Sequence, residues 1–233
     1  MNIAIWNMQG STGTGESKWN TDVKRLFLKA NVEVALLQES GVPALSAAVS
    51  APLGFLFGAL PVFNYLSLLW NLGTASRPYN VSIFWVQCDV GANRNNLAIA
   101  INNAAVVAQN FLYLANPTGA ANRPAIGIRF AYGGGMLDVY TLHAFSGGGG
   151  DAPAFLAAIN ARGAHWAVGG DFNRNPATMP VVPGTLCPHN AVATHPGSGT
   201  NLDYAFKSFA PAVNGTVDAN FIVSDHFPVY YAI

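Results

Sequence analysis

Polar side chains follow a series of apolar, strand-like runs along this chain of 233 residues. They are Asn7, Glu39, His143, Asp171, Asn173, Asp203, Asp225 and His226. Carboxylate and amide oxygens are hard ligands for a divalent cation, and imidazoles can transfer protons near neutral pH. A set of this kind at successive strand ends therefore predicts a metal-dependent site that cleaves phosphodiester bonds.

The segment Gly169-Gly170-Asp171-Phe172-Asn173 is the most specific of these motifs. Paired glycines permit a tight, exposed strand end, and the Asp-x-Asn spacing places two oxygen-bearing side chains on the same side of the chain. An Asx turn, in which the aspartate bonds to its own backbone, is an equally good interpretation of the segment taken alone.

Two of the five histidines lie near carboxylates at strand ends. His143 ends the run Leu137–Leu142, and His226 follows Asp225 directly. A pair of imidazoles could divide proton transfer, with one activating water and the other protonating the leaving oxygen. The other histidines, which are His165, His189 and His195, have no such neighbours and are expected to be structural.

The metal and substrate candidates are weaker when each is taken singly. Glu39 could bind Mg²⁺ or Ca²⁺, and Asn7 could position a phosphate oxygen or a metal-bound water. Arg94 and Arg123 lie in polar loops beside apolar strands, where forked hydrogen bonds to substrate phosphates are possible. Surface or capping roles for the first pair, and solvated loop positions for the arginines, remain the alternatives.

A β-α-β unit opens the chain. Asn2–Trp6 and Val32–Leu37 are predicted strands, and between them Ser17 could cap a helix with Trp19, Val23 and Phe27 on one face. Further strands are predicted at Val81–Val86, Leu97–Ile101, Ile126–Phe130, Leu137–Leu142, Trp166–Val168, Leu202–Phe206 and Val229–Ile233, with a helix at Ala152–Asn160. Many short strands with few helices favour two packed sheets flanked by helices, in one domain.

Composition limits the function classes. Hydrophobic residues make up 51% of the chain and charged residues 9%, with a formal net charge of +0. Such a balance lacks the basic excess that is typical of nucleic-acid binders. The uncharged stretch 41–76 is interrupted by proline and glycine, so we expect buried strands and loops there and not a membrane span. Spacing does not decide whether Cys88 and Cys187 pair.

The whole chain resembles a known family, the CdtB catalytic subunits of cytolethal distending toxins, within the DNase I-like endonuclease/exonuclease/phosphatase superfamily. Glu39, Asp-x-Asn and Ser-Asp-His are shared across the superfamily, whereas Trp70-Asn71-Leu72-Gly73-Thr74 and Asp89-Val90-Gly91-Ala92-Asn93-Arg94 indicate CdtB specifically. Other matching segments are Trp6–Ser11, Glu16–Asn20, Asn96–Ile99, Arg123–Arg129, His143-Ala144, Gly170–Arg174, Leu202–Ala205 and Ser224–Val229.

The resemblance implies a fold and a role for each matching position. The expected fold is an α/β four-layer sandwich of two packed mixed sheets flanked by helices, in a single domain over residues 1–233. Glu39 would be the main Mg²⁺ ligand, helped by Asn7 and Asp225, with Ca²⁺ or Mn²⁺ as alternatives. His143 would be the general acid and His226 the base, oriented by Asp171 or a neighbouring carboxylate. Asn173 and Asp203 would hold the scissile phosphate and the attacking water, and Arg94 and Arg123 the DNA backbone.

One departure from the family bears on activity. The family has an acidic residue three positions before the tryptophan that matches Trp70, and Ser67 stands there in this chain. The leading hypothesis is a Mg²⁺-dependent nuclease that nicks DNA without sequence preference. The alternatives are a phosphoinositide phosphatase that uses the same site and a non-catalytic toxin-assembly subunit.

Location and partners follow from the resemblance alone. Toxin subunits of this family are secreted, and toxin delivery subunits are possible partners. The chain opens directly on a predicted strand, without a basic segment followed by an apolar one. We therefore expect either that a signal segment has been removed or that the protein is intracellular.

Overall fold

Two β-sheets lie face to face in the computed structural model, which describes residues 1–10, 15–44, 46–49, 64–120, 122–163 and 165–233. Within these residues the strands are β1 (Asn2–Asn7), β2 (Val34–Gln38), β3 (Ala48–Val49), β4 (Asn64–Asn71), β5 (Asn80–Gln87), β6 (Leu97–Asn102), β7 (Asn110–Leu114), β8 (Ala125–Tyr132), β9 (Gly135–His143), β10 (His165–Asp171), β11 (Thr185–Cys187), β12 (Asp203–Lys207), β13 (Thr216–Val217) and β14 (Val229–Ala232). One sheet has the order β13-β14-β1-β2-β6-β5-β4-β3, and the other has the order β11-β12-β10-β9-β8-β7.

Helices cover the outer faces of both sheets. The first helical region joins α1 (Gly15–Lys18), a π-helical segment (Trp19–Val23) and α2 (Lys24–Lys29), and α3 is Ala152–Asn160. A single-turn 3₁₀ helix (Pro176–Thr178) follows β10. The layers therefore run helix, sheet, sheet, helix, and the four-layer α/β sandwich predicted from the sequence is confirmed.

Strict alternation along β1 shows why the layers stack in this order. Ile3 and Ile5 belong to the core between the two sheets, whereas Ala4 and Trp6 pack with Trp19 under the first helical region. Successive side chains of a strand point to opposite faces, so a central strand that is apolar throughout must be covered on both sides. The second sheet is covered in the same way by α3, through Phe155, Leu156 and Ile159.

Two parallel strand pairs bring the predicted site residues to one edge. β1 runs parallel to β2, with Asn7 in register with Gln38. β9 runs parallel to β10, with His143 in register with Asp171. A buried hydrogen bond from Gln38 Nε2 to Thr141 Oγ1, 2.7 Å long, links the two sheets near these ends. The carboxyl ends of all four strands therefore lie together.

Most predicted elements are confirmed, and a few are not. The strands predicted from β-type runs all form, with ends shifted by one to three residues, and the helix Ala152–Asn160 has the predicted bounds. Ser17 lies within α1, so its predicted capping role is wrong. Strands β7, β11 and β13 were not predicted, because they are short or lack a clear apolar pattern, whereas β3 and β4 lie in the stretch 41–76, where buried strands and loops were expected without bounds.

The uncharged stretch 41–76 and the two cysteines can also be compared with the sequence predictions. Residues 45 and 50–63 of that stretch lie outside the described residues, and its later part forms β4. No helix among the described residues is both long and apolar enough to cross a membrane. Cys88 and Cys187 are both free and buried, so they do not form a disulfide with one another.

Gly169 and Gly170 act differently from the sequence prediction, because both are buried within β10 and do not form an exposed strand end. A Cβ on Gly170 would overlap the Leu142 carbonyl of the neighbouring strand, and one on Gly169 would overlap the Ile5 side chain of the facing sheet. These glycines therefore allow the close strand and sheet approach that brings Asp171 to the site.

Substituting Gly170→Ala is expected to lower the free energy of unfolding by about 2 kcal/mol or more, because overpacking against rigid backbone forces the strand to shift. Chemical denaturation monitored by tryptophan fluorescence measures this effect. Gly150→Ala is the matched control, since a Cβ there meets no atom within 4 Å. Equal stability of the two variants would contradict the packing role of Gly170.

Candidate active site

A cleft of about 560 Å³ opens at the edge where the four strands end. Four of the predicted residues line it, namely Glu39, Asp225, Arg94 and Arg123. Sequence reasoning assigned no role to the remaining lining residues, which are Gln9, Gly10, Asp89, Asn95 and Ser146. The cleft therefore joins the predicted cation ligands to the predicted phosphate-binding arginines.

Backbone geometry at three strand ends directs side chains toward this edge. Gln9, Glu39 and Asn173 have φ angles of 48°, 46° and 48°. Non-glycine residues rarely adopt this left-handed region, and each such position costs about 1 kcal/mol or more. The Gly10 N–H donates to the Glu39 carbonyl at 2.7 Å, which holds two of these turns together. The strain is concentrated where the chemistry is expected.

His226 and Asp203 form a buried pair beneath the cleft. The Nδ1 atom of His226 lies 2.6 Å from Asp203 Oδ2, and the Trp6 indole N–H donates to the His226 carbonyl at 3.2 Å. Burial lowers the pKa of His226, but Asp203 and then Asp171 and Asp225 outweigh it and raise the pKa to about 9. Asp203 is therefore the carboxylate that holds this ring.

His143 faces the same carboxylates from the other side. Its Nε2 lies 3.6 Å from Asp171 Oδ2 and 3.7 Å from Glu39 Oε1. Burial lowers the pKa of His143 well below its ordinary value, and the positive charges of Arg123 and His226 lower it further. The surroundings of the two rings therefore favour the protonated form of His226 and disfavour that of His143.

The expected acidic partner of His143 is absent from β4. Ser67 is buried in that strand, whose sequence contains no carboxylate. The Nδ1 atom of His143 is buried and makes no hydrogen bond to any described residue. The carboxylates near the ring are those of Asp171 and Glu39, and both approach Nε2.

Asp171 lies between the two histidines. Its Oδ2 accepts a hydrogen bond from Asn7 Nδ2 at 3.0 Å and lies 3.8 Å from His226 Nε2. Burial and the nearby Asp203 raise its pKa to about 7. Its Oδ1 accepts the Asn173 N–H at 2.8 Å, so the Asx turn is present, and Oδ2 is the oxygen that faces the two histidines.

Glu39 and Asp225 have the character of a cation site, while Asn7 is oriented differently from the sequence expectation. Burial raises the pKa of Glu39, and the negative charge of Asp225 raises it further. A divalent cation between these carboxylates would relieve that repulsion, so the donor set fits a hard cation. Asn7 directs Nδ2 toward Glu39 Oε1 at 3.5 Å, while its Oδ1 accepts the Gln9 N–H at 3.0 Å.

The backbone that follows His143 is held by two of the predicted substrate-binding residues. Arg123 Nη1 and Asn173 Nδ2 both donate to the Ala144 carbonyl, at 2.8 and 2.9 Å. Arg94 lines the cleft from a turn whose backbone N–H groups donate to the Asp89 carboxylate. Arg123 thus supplies positive charge beside His143, and Arg94 adds a second positive charge to the cleft lining.

Sequence reasoning missed two residues that contact the site. Gln9 Nε2 donates to Asp225 Oδ2 at 3.1 Å, and its place directly after the Trp6-Asn7-Met8 strand end was an available signal. His195 was expected to be structural, but its ring packs against His226 with centroids 4.7 Å apart. Nothing in the sequence near His195 indicates that contact, because it arises from a long-range loop arrangement.

Known proteins are similar to this chain in both sequence and fold. A model of the Endonuclease/Exonuclease/phosphatase family matches residues 4–226. The chain is 34% identical over 254 residues to the CdtB subunit of the cytolethal distending toxin of Escherichia coli, covering 97% of this chain and 89% of that protein. It is 38% identical over 184 residues to a CdtB homolog of Salmonella typhi, covering 75% of this chain and 64% of the homolog.

A solved structure agrees with these relatives. The cytolethal distending toxin of Actinobacillus actinomycetemcomitans includes a chain that matches with a TM-score of 0.82 and 31% identity, over 99% of this chain and 97% of that one. The resemblance found in the sequence is therefore confirmed by relatives and by fold.

Proposed function

The chain belongs to the endonuclease/exonuclease/phosphatase family, and on that premise we propose that it is a Mg²⁺-dependent phosphodiesterase that nicks DNA without sequence preference. The observation that carries the proposal is the pair of imidazoles, His143 and His226, on either side of Asp171 and next to residues that line a cleft with two arginines. This arrangement suits proton transfer around a phosphate held between them.

Glu39 and Asp225 would hold the cation, with Asn7 as a hydrogen-bond donor that orients Glu39 and Asp171. The bound cation would neutralise charge that develops on the phosphate oxygens. Ca²⁺ or Mn²⁺ could take the same oxygen ligands. Arg94 and Arg123 would contact the phosphate backbone, and phosphate contacts alone select no bases. A net charge of +0 makes these local cations the main electrostatic attraction for DNA.

Proton positions follow from the charges around each ring. Cation binding at Asp225 removes one of the negative charges that raise the pKa of His226. A phosphate bound to Arg123 offsets one of the positive charges that lower the pKa of His143. Both changes move the proton toward His143, which would then act as the acid, while His226 accepts the proton of the attacking water. Asp203 would fix the His226 ring, and Asn173 would position the phosphate.

The similarity to CdtB proteins supports a biological role as well. We propose that the chain is the catalytic subunit of a toxin, secreted and assembled with delivery subunits. This part of the proposal is supported by the relatives and not by any feature of the described surface.

The test is relaxation of supercoiled plasmid by the purified chain with Mg²⁺, with and without a chelator. We expect nicking that the chelator abolishes. The nicking rate of His143→Ala should be lower than that of the wild type by at least about 10²-fold, which is the lower end of the contribution of a general acid. An intact plasmid over a wide enzyme range contradicts the nuclease proposal. Phosphate release from a soluble phosphoinositide, measured in parallel, would then show a phosphatase that uses the same site.

A further inference from the structure

His195 lies beside the proposed catalytic pair, on the loop between β11 and β12. Its ring packs edge-on against His226, with an interplanar angle of 77°. Its Nε2 atom lies 3.9 Å from Asp225 Oδ2. His195 therefore contacts two consecutive residues of the site, and the proposed reaction gives it no role.

Thr194 fixes this loop relative to the catalytic pair. Its buried hydroxyl accepts the Asp203 N–H at 3.1 Å, and its carbonyl accepts the Phe227 N–H at 2.8 Å. The His195 N–H in turn donates to the Thr200 carbonyl at 3.0 Å. The position of His195 is thus set by the same elements that position Asp203 and His226.

The tautomer of His195 follows from its hydrogen bonds. His195 Nδ1 has two polar neighbours in Ser198: the backbone N–H donates to it at 3.1 Å, and the hydroxyl Oγ lies 2.7 Å away. The backbone N–H can only donate, and the hydroxyl can donate as well. A ring nitrogen that accepts a hydrogen bond carries no hydrogen, so the neutral imidazole has its hydrogen on Nε2. The nitrogen near Asp225 is therefore an N–H donor.

We propose that His195 is a positioning residue that restrains Asp225 through this N–H donor, so that the carboxylate is pre-oriented for cation binding. The proposal rests on the proposed function, in which Asp225 is a cation ligand. Asp225 is 45% exposed and depends on neighbours for its orientation. Gln9 already donates to its Oδ2 at 3.1 Å, and a shift of about 1 Å would bring the His195 donor into hydrogen-bond range.

A role for His195 as a metal ligand fits the hydrogen bonds less well. Donor atoms of His195, Asp225 and His226 lie within 4.8 Å of one another, a spacing that a transition-metal ion could bridge. Ligation through Nε2 would require the hydrogen to move to Nδ1, where the Ser198 hydroxyl at 2.7 Å could accept it but the Ser198 backbone N–H, which already donates there, would oppose it. The donor role needs no such rearrangement.

Two substitutions separate the N–H donor from the ring. His195→Gln keeps an N–H at the position of Nε2 but removes the ring, and His195→Phe keeps the ring but removes the donor. We expect Mg²⁺ affinity, measured by calorimetry, to fall about tenfold in the Phe variant, as for loss of other outer-shell partners, and to stay near wild type in the Gln variant. His165→Phe is the control, because His165 stacks on Phe209 at the opposite end of β10.

Several results would overturn the proposal. Equal Mg²⁺ affinity of the Phe variant and wild type, or equal losses in both variants, would remove the donor role. A ¹⁵N NMR spectrum that shows the hydrogen of the neutral ring on Nδ1, recorded at a pH well above the model-peptide histidine pKa of about 6.5, would contradict the tautomer on which the proposal is based. Zn²⁺ inhibition that both variants abolish would make His195 a ligand instead. If wild-type protein binds no Mg²⁺, the proposed function itself fails, and this proposal fails with it.

Discussion

Replacing His226 with glutamine is expected to lower the single-turnover rate of plasmid nicking by about 10³-fold, within the range that general acid/base groups contribute. Glutamine keeps a polar amide near the position of Nε2 but cannot accept and release a proton near neutral pH. Asp203→Asn is expected to lose about 10²-fold, because the ring remains but loses the carboxylate that fixes its tautomer. Rates are measured at saturating Mg²⁺, so that cation affinity does not contribute.

The double variant tests whether the two residues act as a unit. His226 Nδ1 and Asp203 Oδ2 are 2.6 Å apart, and residues that act through one another show non-additive losses. The combined substitution should therefore be no slower than His226→Gln alone. His165→Gln controls for the loss of a histidine elsewhere in the fold. A His226→Gln rate within tenfold of wild type would remove this imidazole from the proton-transfer step.

The sequence could predict that the site residues lie close together, because most of them are at the ends of strands. Asn7, His143 and Asp171 end β1, β9 and β10, and Glu39 directly follows β2. Parallel neighbouring strands present their carboxyl ends at one edge, so apolar runs that stop on polar residues indicate a shared site. The four-layer fold followed from the family resemblance and from the many short apolar runs.

The pairing of groups within the site could not be predicted in the same way. Asp203 begins β12, and its register opposite Asp171 places it against His226, which lies on a loop 23 residues later. The amide of Asn7 is turned by the Gln9 N–H, a contact that depends on the left-handed backbone of Gln9. The partner of each side chain therefore depends on strand register and local backbone strain, which residue types alone do not reveal.

The missing carboxylate on β4 shows where family likeness stops being informative. Ser67 occupies the position expected to be acidic, and the sequence could only raise the question of what replaces it. In the structure, the nearest carboxylates to His143 belong to Asp171 and Glu39, and both approach Nε2. Glu39, which we propose as a cation ligand, is therefore also one of the two carboxylates that approach His143.

Substituting Glu39→Gln is expected to lower kcat/KM for nicking by about 10³-fold. The reason is that charge stabilisation by a bound cation is worth several kcal/mol, and each 1.36 kcal/mol is about tenfold in rate. Glutamine preserves the shape of the side chain and its hydrogen bond from Asn7 but removes the negative charge. The variant should bind Mg²⁺ much more weakly by calorimetry, and raising the Mg²⁺ concentration should restore part of the activity.

Asp89→Asn is the matched control for Mg²⁺ affinity, because Asp89 lines the same cleft; asparagine can still accept the turn hydrogen bonds of Gly91 and Ala92, although it loses that of Arg94. Removing its charge should leave Mg²⁺ affinity nearly unchanged if the cation lies between Glu39 and Asp225. Equal losses in both variants would mean that the cleft attracts cations only through its summed negative charge. Wild-type Mg²⁺ affinity in Glu39→Gln, together with a lost nicking rate, would instead assign Glu39 to His143, as the carboxylate that Ser67 does not provide.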